Sequence, residues 1–280
     1  MKDLKSQRGF SAIELLITVG IMGFVLAALY NIMISQQRTY EAQRDVSVTQ
    51  RDVRAALSYL ERDVRMAGLA VPRGTNPVAA FQDGTLGNPA APDTISINFS
   101  PGPLSYLTAS TVDLPGTDNI IKVDSVTGFN VGDTINIINN ETNNLVGEYV
   151  ISAVDSTAGD NKLSLDSNPL LDGVIDLGFL VARDFRTIIY RVETDAGTGR
   201  NELIRDDGTV QSLVVDGITD FQLSYILDDG NEVTAPADLA DVRRIRMDIT
   251  AATIREAARL GGAPISRQIT TIVPIKNIRL

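Results

Sequence analysis

The sequence predicts an α+β protein: one very long N-terminal helix, followed by a remainder built mainly of antiparallel strands. Three observations predict it. There is no Pro between residues 1 and 71, and between Gly9 and Gly68 the only glycines are Gly20 and Gly23. Residues 15–34 carry no charged side chain. After Gly68 the apolar residues change from helical spacing to short runs punctuated by Gly, Pro, Asn and Asp.

The helix is justified in two halves. Residues 15–34 read LLITVGIMGFVLAALYNIMI. Twenty residues at about 1.5 Å each span about 30 Å, the thickness of a hydrocarbon core. Lys2, Lys5 and Arg8 precede this run, and a basic N-terminal flank stays on the cytoplasmic side. A cleaved secretory signal would be shorter and end in a small-residue site; here SQQRTYEAQR follows residue 34. Gly20, Gly23 and Ala27 suit close helix approach, or are ordinary membrane-helix usage. Beyond the apolar run, Val46, Val53, Leu57, Leu60 and Val64 form one stripe. Arg44, Asp45, Arg51, Asp52, Arg54, Arg62 and Asp63 are expected on other faces. Glu61 and Arg65 make a favourable i,i+4 pair, and Gly68 is the expected stop. The expected helix is 10–67, about 58 residues and about 87 Å long, with 10–34 crossing the membrane.

The strands follow. Residues 69–118 hold seven of the eleven prolines (72, 77, 89, 92, 101, 103 and 115), which predicts irregular backbone, with one clear strand at 93–99. Residues 118–172 read as a compact β module. Its short apolar runs are Ile121 and Val123, Ile135 and Ile137, 150–154, and Leu163 and Leu165. It is expected as an insertion on the main sheet, either structural or an adhesive, partner-binding tip. In the C-terminal third, Phe221, Leu223, Tyr225 and Leu227 alternate, as do Ile245, Met247 and Ile249. Asp206-Asp207-Gly208 and Asp228-Asp229-Gly230 are hairpin turns. A last strand at 269–278 contains Pro274, which suits an edge. Residues 251–262 are expected as a loop or short helix.

Composition narrows the function. The chain has no Cys, no His and no Trp. That removes thiol nucleophiles, histidine-based triads and imidazole- or thiolate-bound metals, so the expectation is no enzyme and no cofactor. The net charge is −10. Residues 68–182 hold three basic side chains (Arg73, Lys122, Lys162) against 13 acidic ones, which argues against nucleic acid as a partner. Phosphate-loop, dinucleotide and zinc spacings are missing. Asp155, Asp160 and Asn161, and Asp228, Asp229 and Asn231, cluster oxygens in turns and are weak calcium candidates. Turn chemistry alone explains them.

One residue does not fit a plain membrane anchor. Glu14 lies inside the apolar run that begins at Phe10. A carboxylate in lipid is costly and asks for a partner, or else snorkels to the interface. The motif Gly9-Phe10-Ser11-Ala12-Ile13-Glu14, between a basic leader and a 20-residue apolar helix, resembles the class III signal of type IV prepilins and type II secretion pseudopilins. Ala12 stands where Leu is common. The resemblance implies that prepilin peptidase removes residues 1–9 by cutting between Gly9 and Phe10. It further implies that Phe10 is N-methylated, and that Glu14 docks on the terminal amine of a neighbouring subunit. Pairing two costly charges in hydrocarbon disfavours registers that leave Glu14 alone.

The layout over 60–280 also resembles the PilW kind of minor pilin and, close to it, J-type pseudopilins. The points of likeness are Leu60-x-x-Asp63-x-Arg65-Met66-Ala67-Gly68 and strands at 187–192, 214–225 and 244–250. The implied fold is pilin-like: the long helix packed on an antiparallel sheet, with 68–280 as the exported domain. The implied function is a minor pilin that primes or caps assembly near the filament tip. Its partners would be prepilin peptidase, other minor and major pilins, the inner-membrane assembly platform, and lipid through 10–34. It would reside in the inner membrane with its C-terminal domain in the periplasm, then in the extracellular pilus. The alternatives are a minor pseudopilin of type II secretion, or a signal-anchored periplasmic binding protein or enzyme.

Overall fold

The computed structural model describes residues 11–82, 92–109, 119–157, 159–167, 176–253 and 265–275. The chain forms two compact units, Met1–Gln50 with Thr253–Ile265, and Arg51–Ala252 with Ser266–Leu280. One helix, α1 (Ala12–Met66), runs unbroken for 55 residues, as the lack of Pro and the scarcity of Gly dictate. Gly68 ends it in the left-handed region, at φ +78, and its N–H donates to the Asn98 carbonyl at 2.8 Å.

In the first unit the apolar side chains of α1, among them Ile13, Leu16, Phe24 and Met33, are exposed. In the second unit Val53, Ala56, Leu57, Leu60 and Val64 are buried, which is the stripe expected from spacing. Val46 is only half-buried.

Among the described residues fifteen strands follow, all in antiparallel pairs. β1 (Val78–Gln82), β2 (Thr94–Phe99), β9 (Arg186–Thr194), β10 (Asn201–Asp206) and β11 (Gln211–Asp216) form a five-stranded sheet in the order β1-β2-β9-β10-β11. β12 (Ile218–Leu227), β13 (Glu232–Val233), β14 (Val242–Ala252) and β15 (Ser266–Pro274) form a second, in the order β13-β12-β14-β15. Pro274 therefore lies on an edge strand, where its missing N–H costs no ladder bond.

Gly217, at φ +78, turns the chain from one sheet to the other. Its N–H donates to the Asn201 carbonyl, and its carbonyl accepts from Ala252 N–H, each at 3.0 Å. Asp93 sews the same two sheets together. Its N–H donates to the Phe221 carbonyl at 2.7 Å, and its Oδ2 accepts from Leu223 N–H at 2.7 Å. The buried face of α1 shares one core with both sheets, including Ile95, Ile97, Leu203, Phe221, Met247 and Val273.

The acidic middle of the chain builds a second core within the second unit. β3 (Leu104–Tyr106), β4 (Ile120–Lys122), β5 (Thr134–Ile138), β6 (Leu145–Thr157), β7 (Asp160–Leu165) and β8 (Leu180–Arg183) pair in the order β3-β8-β5-β6-β7-β4. The Leu107–Val123 bridge joins the two ends of that row. Thr108 N–H to Lys122 O and Asp124 N–H to Tyr106 O, each at 3.0 Å, complete the seam. The result is a closed six-stranded barrel. β6 bends at a bulge near Ile151–Ala153 and so serves two neighbours, β5 and β7. Inside lie Ile121, Ile135, Ile137, Tyr149, Leu163 and Val181, among others.

This barrel takes strands from Leu104 to Arg183, a wider span than the 118–172 read from sequence. The extra strands β3 and β8 have three and four residues, too few to show alternation. β1 likewise falls in the stretch expected to be irregular; its Ala-rich VAAFQ has weak strand propensity. Most of the 251–262 segment lies outside the described residues, and residues 251 and 252 end β14.

Candidate functional site: the helix start and its anchor

Gly9 and Phe10, the cleavage and methylation positions implied by resemblance, lie outside the described residues. Glu14 sits in the first turn of α1. Its Oε2 accepts from Ser11 N–H at 3.4 Å, while Ser11 Oγ accepts from Ile13 N–H at 3.4 Å. Ser11 and Glu14 thus stand in the S-x-x-E relation of a capping box, which satisfies backbone donors that a helix start leaves open. That spacing is legible in the sequence and gives Glu14 a local role beside any intermolecular one. Thr18 Oγ1 donates to the Glu14 carbonyl at 2.6 Å.

The first part of α1 is long and apolar enough to cross a membrane, and its most apolar stretch is entirely unburied. A single N-terminal apolar helix of this kind is compatible with a membrane anchor.

The second unit holds its part of α1 with two acidic side chains. Glu61 Oε1 accepts from Thr271 Oγ1 at 2.7 Å, which ties the helix to β15. Glu61 Oε2 pairs with Arg65 at 3.0 Å, the i,i+4 pair expected. Asp63 corrects the sequence reading. Expected on an outer face, it is only 4% exposed, because it lies three residues after Leu60 and next to Val64, at the margin of the buried stripe. Its Oδ2 accepts from Tyr190 OH at 2.7 Å and from Arg205 Nε at 2.8 Å. Tyr190 and Arg205 are cross-strand partners on β9 and β10, so one carboxylate grips two adjacent strands. Burial, with the Asp63 charge and hydrogen bond behind it, pushes the Tyr190 hydroxyl well above its ordinary range. Burial pulls Arg205 down, but the hydrogen bond and charge of Asp63 outweigh it and hold the guanidinium above its usual value.

The calcium candidates are engaged otherwise. Asp160 binds Lys122 Nζ at 2.8 Å and also the Lys162 ammonium. These contacts, that of Lys122 first, hold its carboxyl below the usual range. Two ammonium groups occupy the place a cation would take. Asp155 Oδ1 accepts from Thr157 Oγ1 at 2.7 Å and from its N–H at 3.2 Å. Asp229 accepts from Asn231 N–H at 2.8 Å and Nδ2 at 2.6 Å, and Asp228 lies 3.7 Å from Arg243. Among the described residues, no group of three or more acidic side chains is placed to hold a metal ion.

No family model, curated protein or solved structure matches the chain.

Proposed function

We propose that the chain is a minor type IV pilin, processed by prepilin peptidase at Gly9 and held in the inner membrane by α1 until it joins a filament near its tip. The observation that carries this reading is an apolar helix with a carboxylate in its first turn. The same helix runs without interruption into a half that is bolted to a β-rich body. An ordinary anchor needs neither the carboxylate nor the continuity. A membrane-spanning segment that must also set a subunit's position benefits from both, because an intramembrane charge selects register and the same helix continues into the rest of the subunit.

The test is the mature N-terminus of the full chain produced with prepilin peptidase. Intact mass should correspond to a protein that starts at methylated Phe10. Gly9→Ala should keep the leader. Glu14→Gln should be processed yet fail to enter sheared filaments. A purified protein that begins at Met1, or a Glu14→Gln chain that assembles as well as the wild type, would end the proposal.

A further inference from the structure

The barrel occupies the place of a hairpin loop. β2 and β9 are antiparallel neighbours, and their last pair is Phe99 with Arg186. The whole barrel is inserted after one of these residues and before the other. Its two connections run side by side: Ser100 Oγ donates to the Arg183 carbonyl at 2.6 Å, and Arg183 N–H donates to the Pro103 carbonyl at 3.4 Å. Antiparallel strands need only a two-residue turn to join them, so β2–β9 pairing does not require what lies between.

The cores are equally independent. The core of α1 and the two outer sheets contains no barrel residue, and the barrel core runs from Leu107 to Val181 with no member outside it. With its seam joined, the barrel has no open edge to protect. Its size, about 80 residues, is above the roughly 40 below which chains generally need disulfides, metals or oligomers to fold.

Hydrogen bonds cross the junction, and Val71, Ile138 and Ala182, which belong to neither core, are buried beside them. Asn136 Nδ2 donates to Asp184 Oδ1 at 2.8 Å. Arg73 N–H donates to the Asn143 carbonyl at 2.7 Å, and Asn143 Nδ2 donates to the Val71 carbonyl at 3.1 Å. Among the described residues, Ala70 (φ 51) and Asn143 (φ 57) are the non-glycine residues at positive φ; Asn143 makes this contact and Ala70 precedes Val71 in the chain.

We infer that the chain folds as two separable parts: a body of α1 and two sheets that folds without the barrel, and a barrel whose unfolding leaves that body intact. The body is the part that, on the function proposed above, is processed and assembled. That role rests on the function proposed above; the separable folding of body and barrel does not.

The test uses two variants of the full chain. In the first, residues 100–185 are replaced by Asn-Gly. Hydrogen exchange should leave the amides of β9, β12 and β14 protected, and leader removal should match the wild type. In the second, Ile135→Asn ruins the barrel core. Amides of β5 and β6 should then exchange at least tenfold faster, while those of β9, β12 and β14 keep their rates. Loss of protection in the body of either variant would overturn separability. If the wild type itself keeps its leader, the proposed function fails, yet the exchange rates still decide the inference.

Discussion

Replacing Asp63 by Ala removes the acceptor that holds Tyr190 and Arg205 to α1. The cost has separable parts. Tyr190 is fully buried, so its hydroxyl is left without that acceptor, at about 1–3 kcal/mol. The Arg205 side chain is 26% exposed and lies 3.9 Å from Asp207, so it turns partly to water and its share is smaller. A buried pair broken from one side typically costs about 3–5 kcal/mol, and this exposure puts Asp63→Ala near the lower end, about 3 kcal/mol. Tyr190→Phe removes one hydrogen bond but leaves the ion pair, for about 1–1.5 kcal/mol. The assay is equilibrium urea unfolding of the detergent-solubilised full chain, followed by far-ultraviolet circular dichroism because the chain has no Trp. If Asp63→Ala unfolds within about 0.5 kcal/mol of the wild type, the range of an ordinary surface substitution, then Asp63 is not an anchor and the reasoning fails.

Three further outcomes are expected. The raised Tyr190 pKa means that the unfolded chain ionises first, from about pH 10 upward. Stability is whole below that pH and falls above it, and a Tyr190→Phe comparison of alkaline melting should show a shallower fall. Asp207 is held at about 2 first by the Thr209 hydroxyl, then by the Val210 N–H and the Thr209 N–H. Its support of the β10–β11 turn is present above the unfolded value of about 3.9 and is lost as pH falls through about 2. Exchange of the Thr209 and Val210 amides should speed up over that window. Gly147→Ala would place a Cβ 2.3 Å from the hydroxyl of buried Tyr149. It should destabilise the barrel by about 1–3 kcal/mol, read as faster exchange in β5 and β6 with β12 unchanged.

The regular elements were legible because their cause is local. A 55-residue helix follows from what is missing, Pro and all but two glycines, and its buried stripe follows from spacing alone. The alternation of Phe221, Leu223 and Tyr225, and of Ile245, Met247 and Ile249, marks the inner face of β12 and β14. The Asp-Asp-Gly turns at 206–208 and 228–230 follow from glycines at φ 81 and 86. The capping relation of Ser11 and Glu14 was also present in the sequence, four residues long.

What tertiary structure alone decided is which distant groups meet. Asp63 looked like a solvated charge because its partners lie 127 and 142 residues away. The barrel looked shorter because the added strands β3 and β8 carry too few residues to announce themselves, and the seam exists only once residues 106–108 meet 122–124. Asp160 looked like a cation ligand until Lys122, 38 positions earlier in the chain, was placed beside it. Periodicity and turn chemistry act over a few residues and are written in the order of the chain. Pairing of a buried charge, and closure of a sheet, depend on where the backbone returns, and no local pattern carries that information.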